Sequence, residues 1–198
     1  GLSLRWLRDN VCAEEVAEAE KRGIDPYDVM SEKADKIAAG SDRLIYLPYL
    51  NGERTPHLDP NCRGVFFGLS GVHKRAHLIR AVMEGVSYSL RDSVSILREM
   101  NIETSEMTAT GGGGRSFLWR QMLADNYHCP VKTIDNKEGP ALGVAILAGV
   151  GVGLFSSVPE ACDHLIHDRS MQEPIQANSD VYDKYYPLYR KLYTALKG

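Results

Sequence analysis

The chain has 198 residues, 43% of them hydrophobic, with 23 Lys and Arg against 26 Asp and Glu and a formal net charge of −3. That is enough chain for one domain with a sizeable core, and the charges are spread without a basic patch, which argues against a nucleic-acid partner. No apolar run approaches the roughly 18 residues of a membrane span, and the longest, Ala141 to Phe155, is short and rich in glycine.

The chain opens at Gly1, and "GLSLRWLRDN" reads as the interior of a longer protein. Residues 1–43 carry helical patterns. In "DPYDVMSEKADKIAAG", Asp25 suits the N-cap, Pro26 the first helical position, and Gly40 the position just past the end. "RLIYLPYL" (Arg43 to Leu50) reads as a short buried strand punctuated by Pro48. "NGERTPHLDPNCRG" (Asn51 to Gly64) is a long polar loop, and "VFFGL" (Val65 to Leu69) a second strand. From Lys74 to Met100 a long helix is expected, with Leu78, Val82, Val86, Leu90, Val94 and Leu97 sharing one face. "EMTAT" (Glu106 to Thr110) is a strand ending at four glycines. A helix follows from Ser116 to His128, with Leu118, Met122 and Leu123 on its apolar face. Cys129-Pro130 breaks it, and "VKTI" (Val131 to Ile134) is another strand. "GPALGVAILAGVGVG" predicts a small-residue helix from Pro140. Ser157 with Glu160 predicts a capping box for the next helix. The last helix carries Tyr182, Tyr186, Tyr189, Tyr193 and Leu196 at helical spacing. This alternation is α/β, with at least part of the sheet parallel.

The four cysteines, Cys12, Cys62, Cys129 and Cys162, form no CxxC pair and no metal-ligand spacing. They read as reduced thiols of a cytoplasmic protein, and no signal-peptide pattern is visible. His57, His73, His77, His164 and His167 are lone histidines, expected to be structural or solvated.

Gly111, Gly112, Gly113 and Gly114 sit between a strand and a helix, where α/β proteins bind ligands. Consecutive glycines are costly in backbone entropy. They allow a group to approach the backbone closely, and a helix N-terminus offers free N–H groups to a phosphate. A nucleotide site and a tight packing turn are both compatible with the run. It is not a Walker loop, because "GGGGRS" has no Gly-Lys-Ser/Thr, and it lacks the GxGxxG spacing of a dinucleotide fold.

"ATGGGGRSFLWRQMLAD" resembles the adenosine motif of the FGGY family of carbohydrate kinases. "GVFFGLSGVHKRAHLIRAVME" is similar to that family's second signature, with Gly64, Gly68, Leu69, His77, Leu78, Ala81 and Glu84 in its fixed places. "PYLNGERTPHLDPNCRG" resembles the loop of the branch that phosphorylates xylulose, with Cys62 where alanine is expected. "EGPALGVAILAGVGVG" and "YDKYYPLYRKLYTAL" resemble the family's small-residue helix and its last helix. Together these blocks cover residues 44–196.

The resemblance implies a ribonuclease H-like lobe of the actin, Hsp70 and hexokinase type, here the C-terminal, nucleotide-binding lobe. Residues 1–43 show no strands, so the lobe is expected to lack its first antiparallel strands. It also implies ATP and Mg2+ as cofactors and phosphorylation of a sugar. The sugar site and the aspartate acting as general base would lie in an N-terminal lobe outside residues 1–198, and the fragment alone would be inactive. A sister kinase for ribulose, gluconate, glycerol or another polyol, or a non-catalytic actin-like module, are the alternatives.

On this resemblance Gly111, Gly112 and Gly113 are the expected nucleotide contacts. Ser116 would bond the nucleotide or cap the helix. Gly139, Pro140, Ala141 and Gly143 would form the far wall of an adenine slot, or serve close helix packing. Glu84 is expected in a buried cap or interhelical hydrogen bond rather than in catalysis. Arg54 faces either solvent or a phosphate. Arg115 and Gln121 are expected at the surface or in packing, and the tyrosine stripe in a core or lobe interface. No metal-ligating residues are expected. An incomplete sheet would leave an open edge at which two copies could pair.

Overall fold

A computed structural model describes residues 1–135 and 139–197. The chain begins with three helices, α1 (Leu2–Asn10), α2 (Ala13–Arg22) and α3 (Pro26–Asp35). A two-stranded antiparallel pair follows, β1 (Ile45–Leu47) and β2 (Val65–Phe67), then the long helix α4 (Arg75–Glu99). A second sheet is built from β3 (Met107–Thr108), β4 (Val131–Ile134) and β5 (Asp168–Gln172), with β3 and β4 parallel and β5 antiparallel to β4. Helix α5 (Phe117–Tyr127) joins β3 to β4, α6 (Gly139–Gly151) and α7 (Val158–Leu165) lie between β4 and β5, and α8 (Gln176–Leu196) closes the chain. The fold is α/β, as expected, and residues 1–40 contain no strand.

The core forms around α4, which touches β1 and helices α1, α3, α5 and α8. Its first half is enclosed on every side: each residue from Ile79 to Gly85 is buried. The single apolar stripe expected from Leu78 to Leu97 is therefore too simple. Val82 and Val94 are buried, but Leu90 is 44% exposed. A helix packed on all sides needs no stripe. Where α4 crosses β1, a Cβ at Gly85 would lie 2.2 Å from the Tyr46 carbonyl oxygen, so only glycine permits the contact.

Helix α3 starts as its sequence predicts, with the Asp25 carboxylate accepting from the Tyr27 N–H at 2.9 Å and Pro26 in the first turn. It stops at Asp35, well short of Gly40. Gly40 instead opens a left-handed turn in which Gly40, Ser41, Asp42 and Arg43 have φ of +86°, +46°, +50° and +72°. For a non-glycine residue this region costs roughly 1–2 kcal/mol, so the turn has to be held from outside.

Glu84 on α4 holds it. The carboxylate accepts from the Gly40 N–H at 2.9 Å, the Ser41 hydroxyl at 2.9 Å, Arg80 Nε at 2.8 Å and the Tyr182 hydroxyl at 3.2 Å. Glu84 is 1% exposed. Burial pushes its carboxyl group above the ordinary range, and Arg80 opposes that push. The neighbouring Asp42 is gripped at its carboxylate by His77 Nε2 at 3.0 Å, and at its carbonyl by His73 Nε2 at 3.2 Å. Glu84 thus has the buried structural role expected of it, and His73 and His77 are structural as well.

Three further differences from the sequence reading have local causes. Strand β5 was not foreseen, because "DRSMQ" carries almost no apolar signal; it is a largely exposed edge strand paired with β4. The Ser157 hydroxyl accepts from the Glu160 N–H at 3.3 Å, but the Glu160 carboxylate returns to the Ser156 N–H at 2.7 Å, so the capping box closes one residue early. In α8, Tyr182, Tyr186 and Tyr189 are buried and Tyr193 packs on the edge of the core, while Leu196 is exposed, so the stripe ends before Leu196. All four cysteines are free.

Glu84→Ala leaves Arg80, itself 5% exposed, as a buried charge without its partner, and it releases the left-handed turn. We expect a loss of about 3–5 kcal/mol, read as a lower midpoint in urea unfolding; a loss below about 1 kcal/mol would contradict the role assigned to Glu84.

Candidate functional site

The four glycines do not run straight into α5. Residues Gly113–Arg115 form one 3-10 turn first, and Ser116 is the N-cap of α5 rather than its first helical residue. The Ser116 hydroxyl accepts from the Trp119 N–H at 3.2 Å and lies 3.2 Å from the Ser31 hydroxyl of α3. It is thus engaged in capping α5 and in tying that cap to the helical layer.

The glycine turn forms one wall of an open cleft of about 750 Å3. Gly111, Gly112 and Gly114 line it, together with Arg115 and Arg120. Thr133 and Asp135 from the end of β4, and Arg169 and Ser170 from β5, form the floor and the opposite side. Gly139 and Pro140, the first residues of α6, close the far end. Of the residues predicted from sequence, the structure brings together Gly111, Gly112, Gly139 and Pro140. Gly113, Ser116 and Ala141 are not among the lining residues. Glu138, first residue of the "EGPALG" block, lies outside the described residues.

The helix N-terminus at the cleft is therefore that of α6, not that of α5. First-turn N–H groups have no intrahelical acceptor, and the positive end of the helix dipole favours an anion. Three guanidinium groups line the cleft, against the carboxylate of Asp135. The floor is polar: the Thr133 and Ser170 hydroxyls are 2.8 Å apart across β4 and β5.

The fold accounts for some glycines of the turn and not for others. Gly111 has φ +70°, and a Cβ on Gly114 would lie 2.8 Å from the Ala109 carbonyl oxygen. Gly113 would place a Cβ in ordinary contact with the Trp119 ring at 3.5 Å. Gly112 has helical φ and ψ of −62° and −40° and only open space beyond its Cα. The packing therefore does not require a glycine at this position.

Sequence reasoning missed Arg120, Thr133, Arg169 and Ser170. Arg169 and Ser170 belong to the unforeseen β5. Arg120 sits beside Trp119 on α5, and no spacing rule marks it. Its guanidinium donates to the carbonyls of Gly114 at 2.7 Å and Arg115 at 3.1 Å, and through Nε to the Gln172 side chain at 2.6 Å. Burial, with Arg169 nearby, holds its pKa below the ordinary arginine value. Arg115 and Arg54 are exposed. Gln121 donates to Asp125 at 2.8 Å and to the Glu173 carbonyl at 2.8 Å, a packing role. Among the described residues no group of three or more His, Cys, Asp or Glu side chains could hold a metal ion, and no helix is long and apolar enough to cross a membrane.

The family model for the C-terminal domain of the FGGY carbohydrate kinases matches residues 1–152. The chain belongs to the FGGY family of carbohydrate kinases. A xylulose kinase of Staphylococcus epidermidis is 36% identical over 197 residues, which are 100% of this chain and 38% of that protein. A gluconokinase of Bacillus licheniformis is 38% identical over 199 residues, 100% of this chain and 39% of that protein. The crystal structure of ligand-bound xylulose kinase from Lactobacillus acidophilus has a TM-score of 0.87 at 31% identity, covering 99% of this chain and 38% of that one. The chain therefore spans 38–39% of the length of these relatives. The fold is that of the actin- and hexokinase-like FGGY sugar kinases, and the chain corresponds to their C-terminal part.

Gly114 and Gly112 differ in what a side chain would cost the fold. We expect Gly114→Ala to cost about 1–3 kcal/mol, as overpacking against backbone does, and Gly112→Ala to change stability by no more than about 0.5 kcal/mol, as at an unconstrained surface position. Thermal unfolding of the two variants side by side checks this; equal losses would mean that the fold, not the cleft, requires Gly112.

Proposed function

We propose that the whole protein is an ATP-dependent carbohydrate kinase, and that this chain supplies the adenosine side of its ATP site. The observation that carries the proposal is the side-chain-free wall at Gly111 and Gly112, facing the first turn of α6 across an arginine-lined cleft, in a chain of a carbohydrate-kinase family. The residues present fit a nucleotide. A flat base can lie against a wall without Cβ atoms. The first-turn N–H groups of α6, which Pro140 does not supply, and the guanidinium groups suit phosphate oxygens. On this reading Gly111, Gly112 and Gly139 contact the nucleotide, while Gly113, Ser116 and Ala141 act one layer behind by fixing the turn, the cap and the helix.

Bound ATP supplies the transferable γ-phosphoryl group, with Mg2+ arriving on its phosphates to offset their charge. Such transfer depends mainly on positioning and charge neutralisation. The chain's own residues contribute orientation: the glycine wall and α6 fix the adenosine end, and Arg115 and Arg169 add positive charge at the rim. The sugar site and the aspartate that accepts the hydroxyl proton belong to an N-terminal lobe outside these residues. Two features support a larger protein around this chain. Among the described residues β3 pairs only with β4, leaving an open edge. Helix α6 carries no charge and leaves Val144 and Leu147 exposed, as the following loop leaves Val152 and Leu154. Further strands and the other lobe would cover both, in place of pairing between two copies. The protein would work in the cytoplasm.

D-Xylulose, converted to D-xylulose 5-phosphate, is the substrate best supported, because relatives named xylulose kinase match the whole chain by sequence and by structure. Gluconate is the second reading, favoured by the 38% identity to a gluconokinase.

Calorimetric titration of Mg-ADP into this chain tests the site. We expect binding to the wild type and at least tenfold weaker binding, about 1.4 kcal/mol, to Gly112→Val at unchanged thermal stability. Equal binding by both would remove the glycine wall from the site. For the whole protein we expect the highest kcat/KM with D-xylulose among D-xylulose, D-ribulose, D-gluconate and glycerol; a maximum with D-gluconate would select the second reading.

A further inference from the structure

The glycine turn has no side chains with which to hold itself, and its wall position still has to be defined against the opposite side of the cleft. Within the turn one backbone bond is made, from the Arg115 N–H to the Gly112 carbonyl at 3.2 Å. The remaining constraint comes from Arg120. Its Nη1 donates to the Gly114 and Arg115 carbonyls at 2.7 and 3.1 Å, on the glycine wall. Its Nε donates at 2.6 Å to Gln172, at the end of β5, whose Arg169 and Ser170 line the opposite side. Gln172 is 6% exposed and pairs with Val131 of β4, so it is a fixed anchor. Arg120 itself stands on α5, whose Trp119 is locked into α4 by bonds from its indole N–H to the Met83 carbonyl and the Ser87 hydroxyl, both at 3.2 Å.

One planar fork therefore ties the glycine turn to the strand that supplies the opposite side of the cleft. We infer that Arg120 is a positioning residue that sets the separation between the glycine turn and β5, and thereby the width of the slot into which the nucleotide enters. The inference rests on the nucleotide reading for what the width serves; the bridge itself is independent of it. Lysine keeps the positive charge but presents a single ammonium, which cannot make divergent planar bonds to the turn and to Gln172. Arg120→Lys thus separates geometry from charge. Gln172→Leu removes the far anchor alone.

The test uses 15N relaxation of the wild-type chain, Arg120→Lys and Gln172→Leu, with Mg-ADP titration of each. In the wild type we expect order parameters near the rigid value of about 0.85 for Gly112, Gly113 and Gly114. In Arg120→Lys they should fall below about 0.6, while residues 83–87 of α4 keep their rigid values. A general loss of stability would move both segments together. Mg-ADP affinity should fall at least tenfold in Arg120→Lys, and by a smaller factor in Gln172→Leu. A turn that stays rigid in folded Arg120→Lys overturns the inference. So does a loosened turn with undiminished Mg-ADP affinity. Titration of the wild type alone decides whether this chain binds the nucleotide at all, so failure of that reading is distinguishable from failure of the bridge.

Discussion

Glu84 has to satisfy four donors at once, and the rest of the structure is arranged around that requirement. A buried carboxylate is costly unless it is paired and hydrogen-bonded. Here the donors come from three separate parts of the chain: Arg80 on the same helix, Gly40 and Ser41 in the left-handed turn, and Tyr182 on α8. Arg80 compensates the charge from within the helix, and the bonds from Gly40, Ser41 and Tyr182 each close a long-range contact as well. The turn at residues 40–43 would be strained without it. With it, the chain leaves α3 and enters β1 at a defined angle, and the fully buried strand Ile45–Leu47 lands on α4 at Gly85.

From α4 the order passes to the cleft through α5. Trp119 bonds α4, Arg120 bonds the glycine turn and β5, and Gln121 bonds the chain after β5. Asp125 then accepts from the Ile175 N–H at 2.7 Å and the Asn178 side chain at 2.8 Å, which orders the start of α8. The cleft is thus supported by a helix that contributes only Arg120 to its lining. Rigid secondary elements carrying a loop that meets the ligand is the usual division between scaffold and site.

Much of this was legible in the sequence, for reasons that differ by element. Helices α3, α4 and α8 announced themselves by an N-cap, a long periodic run and a tyrosine spacing, all local signals. The strand-to-helix turn was legible because four glycines in succession mark a break between elements. The motif order placed it in a family, and the family model agrees. What stayed hidden was non-local. The sequence of β5 reads as polar loop because an edge strand buries little, and Arg169 and Ser170 were lost with it. Arg120 reads as one more surface arginine, since its partners are backbone carbonyls and a glutamine 52 residues away. Gly40 fits a helix-ending glycine by type, but its φ serves a turn held from α4 by Glu84. Ser116 was one position off because a 3-10 turn occupies the residues where a helix was expected to start.

Helix α6 sets the terms on which the cleft can work. Its first residues, Gly139 and Pro140, form the far wall, yet among its thirteen residues only Ile146 and Gly149 are buried. An apolar helix standing so open in water lacks roughly 1.5–3 kcal/mol for each large side chain that a cover would bury. On the proposed function, a nucleotide seated in the cleft of this chain would meet an α6 with little packed against it, and any ordering of that helix would come at the expense of binding free energy. In the whole protein proposed here, elements packed on Val144 and Leu147 would fix that wall beforehand. The glycine wall, braced by Arg120 from within the chain, needs no such help. On that proposal the two walls of one slot would be stabilised by different means, one internal and one external, and the affinity of this chain for a nucleotide would be a lower bound on that of the complete site.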